Sequence, residues 1–194
     1  MRNLSFGLVA LGCNLASGAT SLSATLRQAL HVMQDPNDVT ITAISRFWRT
    51  PAYPAGAGPD FVNAAIALKT QLSADDFLAR LHGIESDAGR DRSAGRWASR
   101  VLDLDLIAFD DVVLPDAATQ RDWVNLPAAQ QAQIAPDRLI LPHPRMQDRG
   151  FVLAPLADIA PDWRHPVTGR SVAQMLADLP PGSLDGIEPL RDCS

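Results

Sequence analysis

Apolar and polar positions along the chain follow two periods, one of strands and one of helices. Leu4 to Leu11 is a largely apolar run of strand length, ended by Gly12. Leu22, Leu26, Ala29, Leu30 and Met33 recur at helical spacing and predict a helix from about Ser21 to Met33, closed by Pro36 and Asn37. Val39, Ile41 and Ala43 alternate with Thr40 and Thr42, which predicts a second strand over Val39 to Trp48. Thr50 to Pro59, rich in Pro, Gly and Ala, reads as a long loop, and Phe61 to Leu68 as a third strand. Ser73, with Asp76 three residues on, starts a second helix whose apolar face is Phe77, Leu78, Leu81 and Ile84. Val101 to Phe109 is the fourth strand.

This β-α-β-β-α-β order is that of an α+β, ferredoxin-like fold: an antiparallel sheet with helices packed on one face. Past Phe109 the periodicity loosens. Residues 111–137 read as a partly helical surface insertion, Leu139 to Pro142 as a short edge strand, Ser171 to Leu179 as a last helix, and the tail from Pro180 as irregular. No segment repeats, and the expectation is a single domain over 1–194.

Composition narrows the function classes. With 46% hydrophobic and 20% charged residues in 194, the chain has the make-up of an ordinary globular domain. A net charge of -5 disfavours wholesale binding to nucleic acid or anionic membranes. Lys69 is the only lysine, so a Walker-type phosphate loop is absent. Cys13 and Cys193 make neither a disulfide framework nor a zinc spacing. The first apolar run is too short to span a bilayer and follows no signal-peptide pattern, so the expected setting is cytoplasmic.

The most chemical stretch runs from Gly89 to Leu106. Arg90, Arg92, Arg96 and Arg100 supply fork-shaped donors suited to phosphate oxygens. Asp103 and Asp105, two apart on a strand, share one face, and a hard divalent cation relieves their repulsion. Mg²⁺ takes one or two carboxylates together with substrate phosphates. A network of plain Arg–Asp salt bridges is the other reading of the same residues. Elsewhere, Thr50-Pro51-Ala52-Tyr53 with Phe61 and Asn63 could hold a flat heterocycle, or be a core aromatic beside a turn-stabilising amide. His143, between two prolines, and Arg149 with Phe151 are open to a phosphate contact and an aromatic wall, or to packing alone. Glu85 either meets a ligand or neutralises Arg90.

In this order, these stretches resemble the 6-hydroxymethyl-7,8-dihydropterin pyrophosphokinase family of folate biosynthesis. The matching residues are Gly12-Cys13-Asn14-Leu15, Ser45 to Pro51, Phe61 to Ala64, Ile84-Glu85 with Gly89 to Arg92, Arg96-Trp97 and Arg100 with Leu102 to Asp105, and Leu141 to Pro144 with Arg149 to Leu156. The resemblance implies transfer of the terminal diphosphate of ATP to the hydroxymethyl oxygen of a reduced pterin, with release of AMP. It implies two Mg²⁺ ions on Asp103 and Asp105. Phe61 and Phe151 would sandwich the pterin, and Asn63 would read its edge with help from Thr50, Pro51 and Tyr53. Trp97 would close over the substrates. Arg90, Arg92, Arg100, His143 and Arg149 would hold phosphates, while Glu85, Leu106, Arg138 and Ile140 would surround the nucleoside.

Three positions depart from the family pattern. Cys13 replaces a small hydroxyl residue, Ile140 stands where well-known bacterial members carry threonine, and His82 where they carry glutamine. The 111–137 stretch is also longer than in compact members. A catalytically silent binding module on the same fold is disfavoured by the retained aspartates and arginines. An RNA-binding domain is disfavoured by the acidic charge and the lack of an aromatic recognition strand. Only small-molecule partners are expected, and a monomer is favoured.

Overall fold

The computed structural model describes residues 4–15, 20–52, 58–89, 101–127, 130 and 133–191. Its centre is β4 (Phe61–Thr70). Along one side β4 pairs with β1 (Ser5–Cys13), from Ser5↔Thr70 to Cys13↔Val62. Its other side is shared by β2 (Val39–Ile44) near Thr70 and β3 (Trp48–Thr50) near Phe61. β5 (Asp103–Phe109) pairs with the free side of β1, and β6 (Glu188–Pro189) with β3. Every pairing is antiparallel, and the first four long strands take the order fourth, first, third, second expected of the split βαβ arrangement.

Helices cover both faces, which corrects the one-face expectation. α1 (Leu22–Met33) and α2 (Ala74–Asp87) lay Leu26, Met33, Phe77 and Leu81 against Val9, Leu11, Ile66, Leu104 and Leu106. On the opposite face, α4 (Gly150–Ile159) and α5 (Val172–Ala177) lay Val152, Leu153, Leu156 and Met175 against Leu8, Ala65, Ala67 and Ile107. The near-continuous apolar run of β4 is the signature of a strand buried on both sides. α4 lacks a clear helical period because it is apolar almost all round. α3 (Ala117–Val124) lies in the 111–137 segment. No helix among the described residues is long and apolar enough to cross a membrane.

Caps set the helix starts. Ser21, Ser73 and Ser171 accept hydrogen bonds from the N–H groups of Ala24, Asp76 and Gln174, and Gln174 completes a capping box. The predicted strand from Val39 to Trp48 is split in two. The Ser45 hydroxyl accepts from Ala65 N of β4 at 2.8 Å and donates to Arg46 O at 2.7 Å, so a side chain stands in for a backbone acceptor of the ladder. β1 runs one residue past Gly12, and β5 begins at Asp103 rather than Val101. The predicted edge strand near Leu141 is a single bridge to Leu114. The tail is not wholly irregular, since it contains β6.

β3 is tied to the end of α4 by Asp158, which accepts from Arg46 N, Nε and Nη2 and from Trp48 Nε1. Burial opposes ionisation of Asp158, but these bonds and the Arg46 charge outweigh it and lower its pKa. The tail also presses on α4: a Cβ added at Gly150 would lie 2.6 Å from Ser183 O and 2.9 Å from Leu184 Cδ2. A backbone oxygen cannot give way as a side-chain tip can. Gly150→Ala is therefore expected to destabilise the fold by about 1–3 kcal/mol, the scale of overpacking. Urea denaturation reads this directly, and an unchanged midpoint would contradict the close approach.

Candidate functional site

Cross-strand register assembles a row of three residues. Gly12 pairs with Asn63 of β4 on one side and Asp103 of β5 on the other. One step along, Ala10 pairs with Ala65 and Asp105. Directly paired residues share a face, so both aspartates, Asn63 and Phe61 lie on the α4 side of the sheet. Between them β1 offers only Gly12 and Ala10, the two smallest residues available.

Gly12 has a steric reason to be glycine. A Cβ there would stand 2.6 Å from Asn63 Oδ1 and 3.9 Å from Phe61 Cδ1. The Asn63 amide lies over Gly12 and donates to Thr50 Oγ1 at 2.6 Å, and all these groups except Phe61 are buried or nearly so. Gly12, expected to end the first strand, lies inside β1, and a glycine within an otherwise apolar strand is the sequence signal of such a close approach.

The start of α4 brings charge to this face. The Arg149 guanidinium lies 5.5 Å from the centre of the Phe151 ring, and its Nη1 is 3.8 Å from Asp105 Oδ2. That distance is an ion pair, too long for a hydrogen bond. Arg149 thus links the acidic row to the aromatic ring. Phe151 borders the α4–α5 core, as does Ala10.

His143 docks at a β-bulge. Leu8 pairs with Ala108 and Val9 with Leu106, so Ile107 is the extra residue of β5, and its carbonyl accepts from His143 N at 2.8 Å. The ring Nδ1 accepts from Arg145 N at 3.2 Å, which leaves the proton on Nε2. Desolvation, with the charges of Arg149 and Arg145, pushes the His143 pKa down to about 3 against a partial counter-effect of Asp103. His143 is therefore a neutral donor through Nε2.

The remaining predicted residues stand apart. Glu85 is fully buried in α2 and accepts from Leu104 N at 2.8 Å, bracing β5. Leu106 lies in the α1–α2 core, on the face away from the aspartates, and Ile140 is buried. Arg138 is exposed and pairs with Asp137 at 3.4 Å. Pro51 is exposed, and a Cβ on Gly186 would stand 2.7 Å from its Cγ. Tyr53, Arg90, Arg92, Trp97 and Arg100 lie outside the described residues. So do Arg96 and most of the Arg-rich loop.

The pattern of residues 8–161 matches the family described as 7,8-dihydro-6-hydroxymethylpterin-pyrophosphokinase. A 2-amino-4-hydroxy-6-hydroxymethyldihydropteridine pyrophosphokinase of Pseudomonas aeruginosa is 37% identical over 182 residues, covering 94% of each chain. The enzyme of the same name from Methylorubrum extorquens is 32% identical over 178 residues, covering 92% of this chain and 96% of that one. Among solved structures, Plasmodium falciparum HPPK-DHPS wild type matches with a TM-score of 0.62 at 14% identity, over 91% of this chain. The chain spans 45% of that longer protein, and the likeness speaks for the fold alone.

A titration follows from His143. Its folded pKa of about 3 lies below the ordinary 6.5, so it adds nothing to pH dependence above 6.5, and stability falls as pH drops from 6.5 towards 3. Nitrogen NMR of the ligand-free protein is expected to show a neutral ring protonated on Nε2 throughout pH 5–8. A titration midpoint near 6.5 would contradict the desolvation of the ring by its surroundings.

Proposed function

Because the chain belongs to the 7,8-dihydro-6-hydroxymethylpterin-pyrophosphokinase family, we infer that it transfers diphosphate from ATP to 6-hydroxymethyl-7,8-dihydropterin, in folate biosynthesis. The products are AMP and the pterin diphosphate. The observation that best supports this reading is the strand register, which sets Asp103 and Asp105 on the same face of the sheet as the Asn63 amide and Phe61.

In this proposal Phe61 and Phe151 sandwich the pterin ring. Asn63, oriented by Thr50, presents both a donor and an acceptor to the ring edge, and Pro51 and Tyr53 complete that wall. Trp97 closes over the bound substrates. Arg149, His143, Arg90, Arg92 and Arg100 hold phosphate oxygens, the imidazole donating through Nε2–H. Arg138 flanks the nucleoside, while buried Glu85, Leu106 and Ile140 shape its site from below and through their backbones.

Asp103 and Asp105 fit Mg²⁺. They are hard oxygen donors on one face, and the described residues contain no cluster of three or more His, Cys, Asp or Glu that would enclose a metal. Such a site leaves coordination positions for water and phosphate, the habit of Mg²⁺ rather than of a caged ion. Two bound Mg²⁺ would supply charge neutralisation for the triphosphate and a lowered pKa for the attacking hydroxyl. The protein residues do the rest by holding the pterin oxygen in line with the β-phosphorus. The new O–Pβ bond forms as the bond from Pβ to the AMP oxygen breaks, and the hydroxyl proton leaves to solvent. No described side chain is needed as a general base, so catalysis is positioning and charge stabilisation. We place this activity in one cytoplasmic, monomeric domain.

The test is a coupled assay of ATP with 6-hydroxymethyl-7,8-dihydropterin that follows AMP rather than ADP. AMP should form only with pterin and Mg²⁺ together, and EDTA should stop it. Asp105→Ala should abolish turnover in a folded protein; normal activity there would refute the metal assignment. Phe151→Ala should weaken pterin binding by roughly 1–3 kcal/mol, the scale of lost stacking and burial. Calorimetry showing unchanged affinity would remove Phe151 from the clamp.

A further inference from the structure

We propose that Gln120, in the 111–137 segment, is a positioning residue for His143. The proposal rests on the reading of His143 as a phosphate ligand. α3 is started by Asp116, whose carboxylate accepts from Ala118 N and Thr119 N, each at 2.9 Å. The one residue this helix buries is Gln120, at 1% exposure. The most deeply buried side chain of the helix is therefore an amide, while its apolar Trp123 and Val124 are only half-buried.

That amide reaches the peptide group next to His143. Gln120 Nε2 donates to Pro142 O at 3.3 Å, and His143 N donates to Ile107 O at 2.8 Å. The Pro142 carbonyl and the His143 N–H belong to one planar unit. The plane is thus gripped from both sides, by α3 and by the β5 bulge. A planar group held at both ends fixes the direction in which the His143 side chain leaves the backbone. One residue earlier, Leu114 and Leu141 exchange backbone bonds of 2.9 and 3.2 Å, so the inserted segment is fastened to this strand at a second point.

Stability alone does not account for the amide. Gln120 Oε1 is buried without a partner among the described residues, and a half-satisfied buried amide costs free energy that an apolar side chain would not. Its donor is what matters: it restrains the Pro142–His143 peptide, and through it the Nε2–H that meets phosphate.

The experiment is a double-mutant cycle between Gln120→Leu and His143→Ala, reading KM for ATP, KM for the pterin and thermal midpoint. Gln120→Leu is expected to keep or raise the thermal midpoint. It should raise KM for ATP about three- to tenfold, the scale of one weakened hydrogen bond, with KM for the pterin unchanged. In the His143→Ala background the same substitution should have no further effect on KM for ATP. Gln120→Met, equal in length and without the donor, should repeat the result if the leucine variant fails to fold. A raised KM for ATP in His143→Ala with an unchanged KM in Gln120→Leu overturns the role of Gln120 alone, as does an effect that persists without His143. An unchanged KM for ATP in His143→Ala removes His143 from the phosphate site, and the proposal with it.

Discussion

The close approach of Asn63 to Gly12 is the constraint on which the site depends. Three strands must bring a carboxylate, an empty position and an amide into register, and the empty position has to belong to the middle strand. Any side chain at residue 12 would displace the Asn63 amide and break its bond to Thr50. Two small residues on β1, Gly12 and Ala10, let the Asn63 amide lie over the middle strand between the two carboxylates and Phe61.

Charge is arranged around that point with little left to neutral packing. Asp105 is drawn to Arg149, and Arg149 lies over Phe151, so one guanidinium joins the acidic and aromatic halves. Desolvation, helped by the charges of Arg149 and Arg145, keeps the His143 imidazole neutral. A neutral ring whose Nδ1 is already occupied is a donor of fixed geometry, which suits an anionic ligand without adding another charge to be desolvated. Two hollows of about 440 and 220 Å³ lie elsewhere, between α4, α5 and the tail, both lined by Ala157, Leu176 and Leu184, the smaller also by the Arg46–Asp158 pair.

The 111–137 segment carries α3, a short helix most of whose residues face solvent, and its buried Gln120 meets the peptide group between Pro142 and His143. The tail behaves similarly, pressing on Gly150 and Pro51, which flank Phe151 and Thr50. The tail also adds β6 to the sheet beside β3.

Periodicity made the alternation of four strands and two helices legible, because a core facing one way leaves a 2.0 or 3.6 repeat in the chain. The Asp103–Asp105 pair and its single face were legible for the same reason, and the specific residue strings pointed to the family. The helix of α4 and the layer it forms were not, since a segment buried all round carries no repeat, nor was the break at Ser45, which depends on a hydroxyl finding β4. The meaning of Gly12 and Gln120 was hidden too: each is set by an atom brought close from more than twenty residues or another strand away. What the sequence determined by itself was the set of elements and the chemistry they carry. Only the tertiary structure decided which of those groups share one face, because register, bulge and close approach arise when separate strands meet.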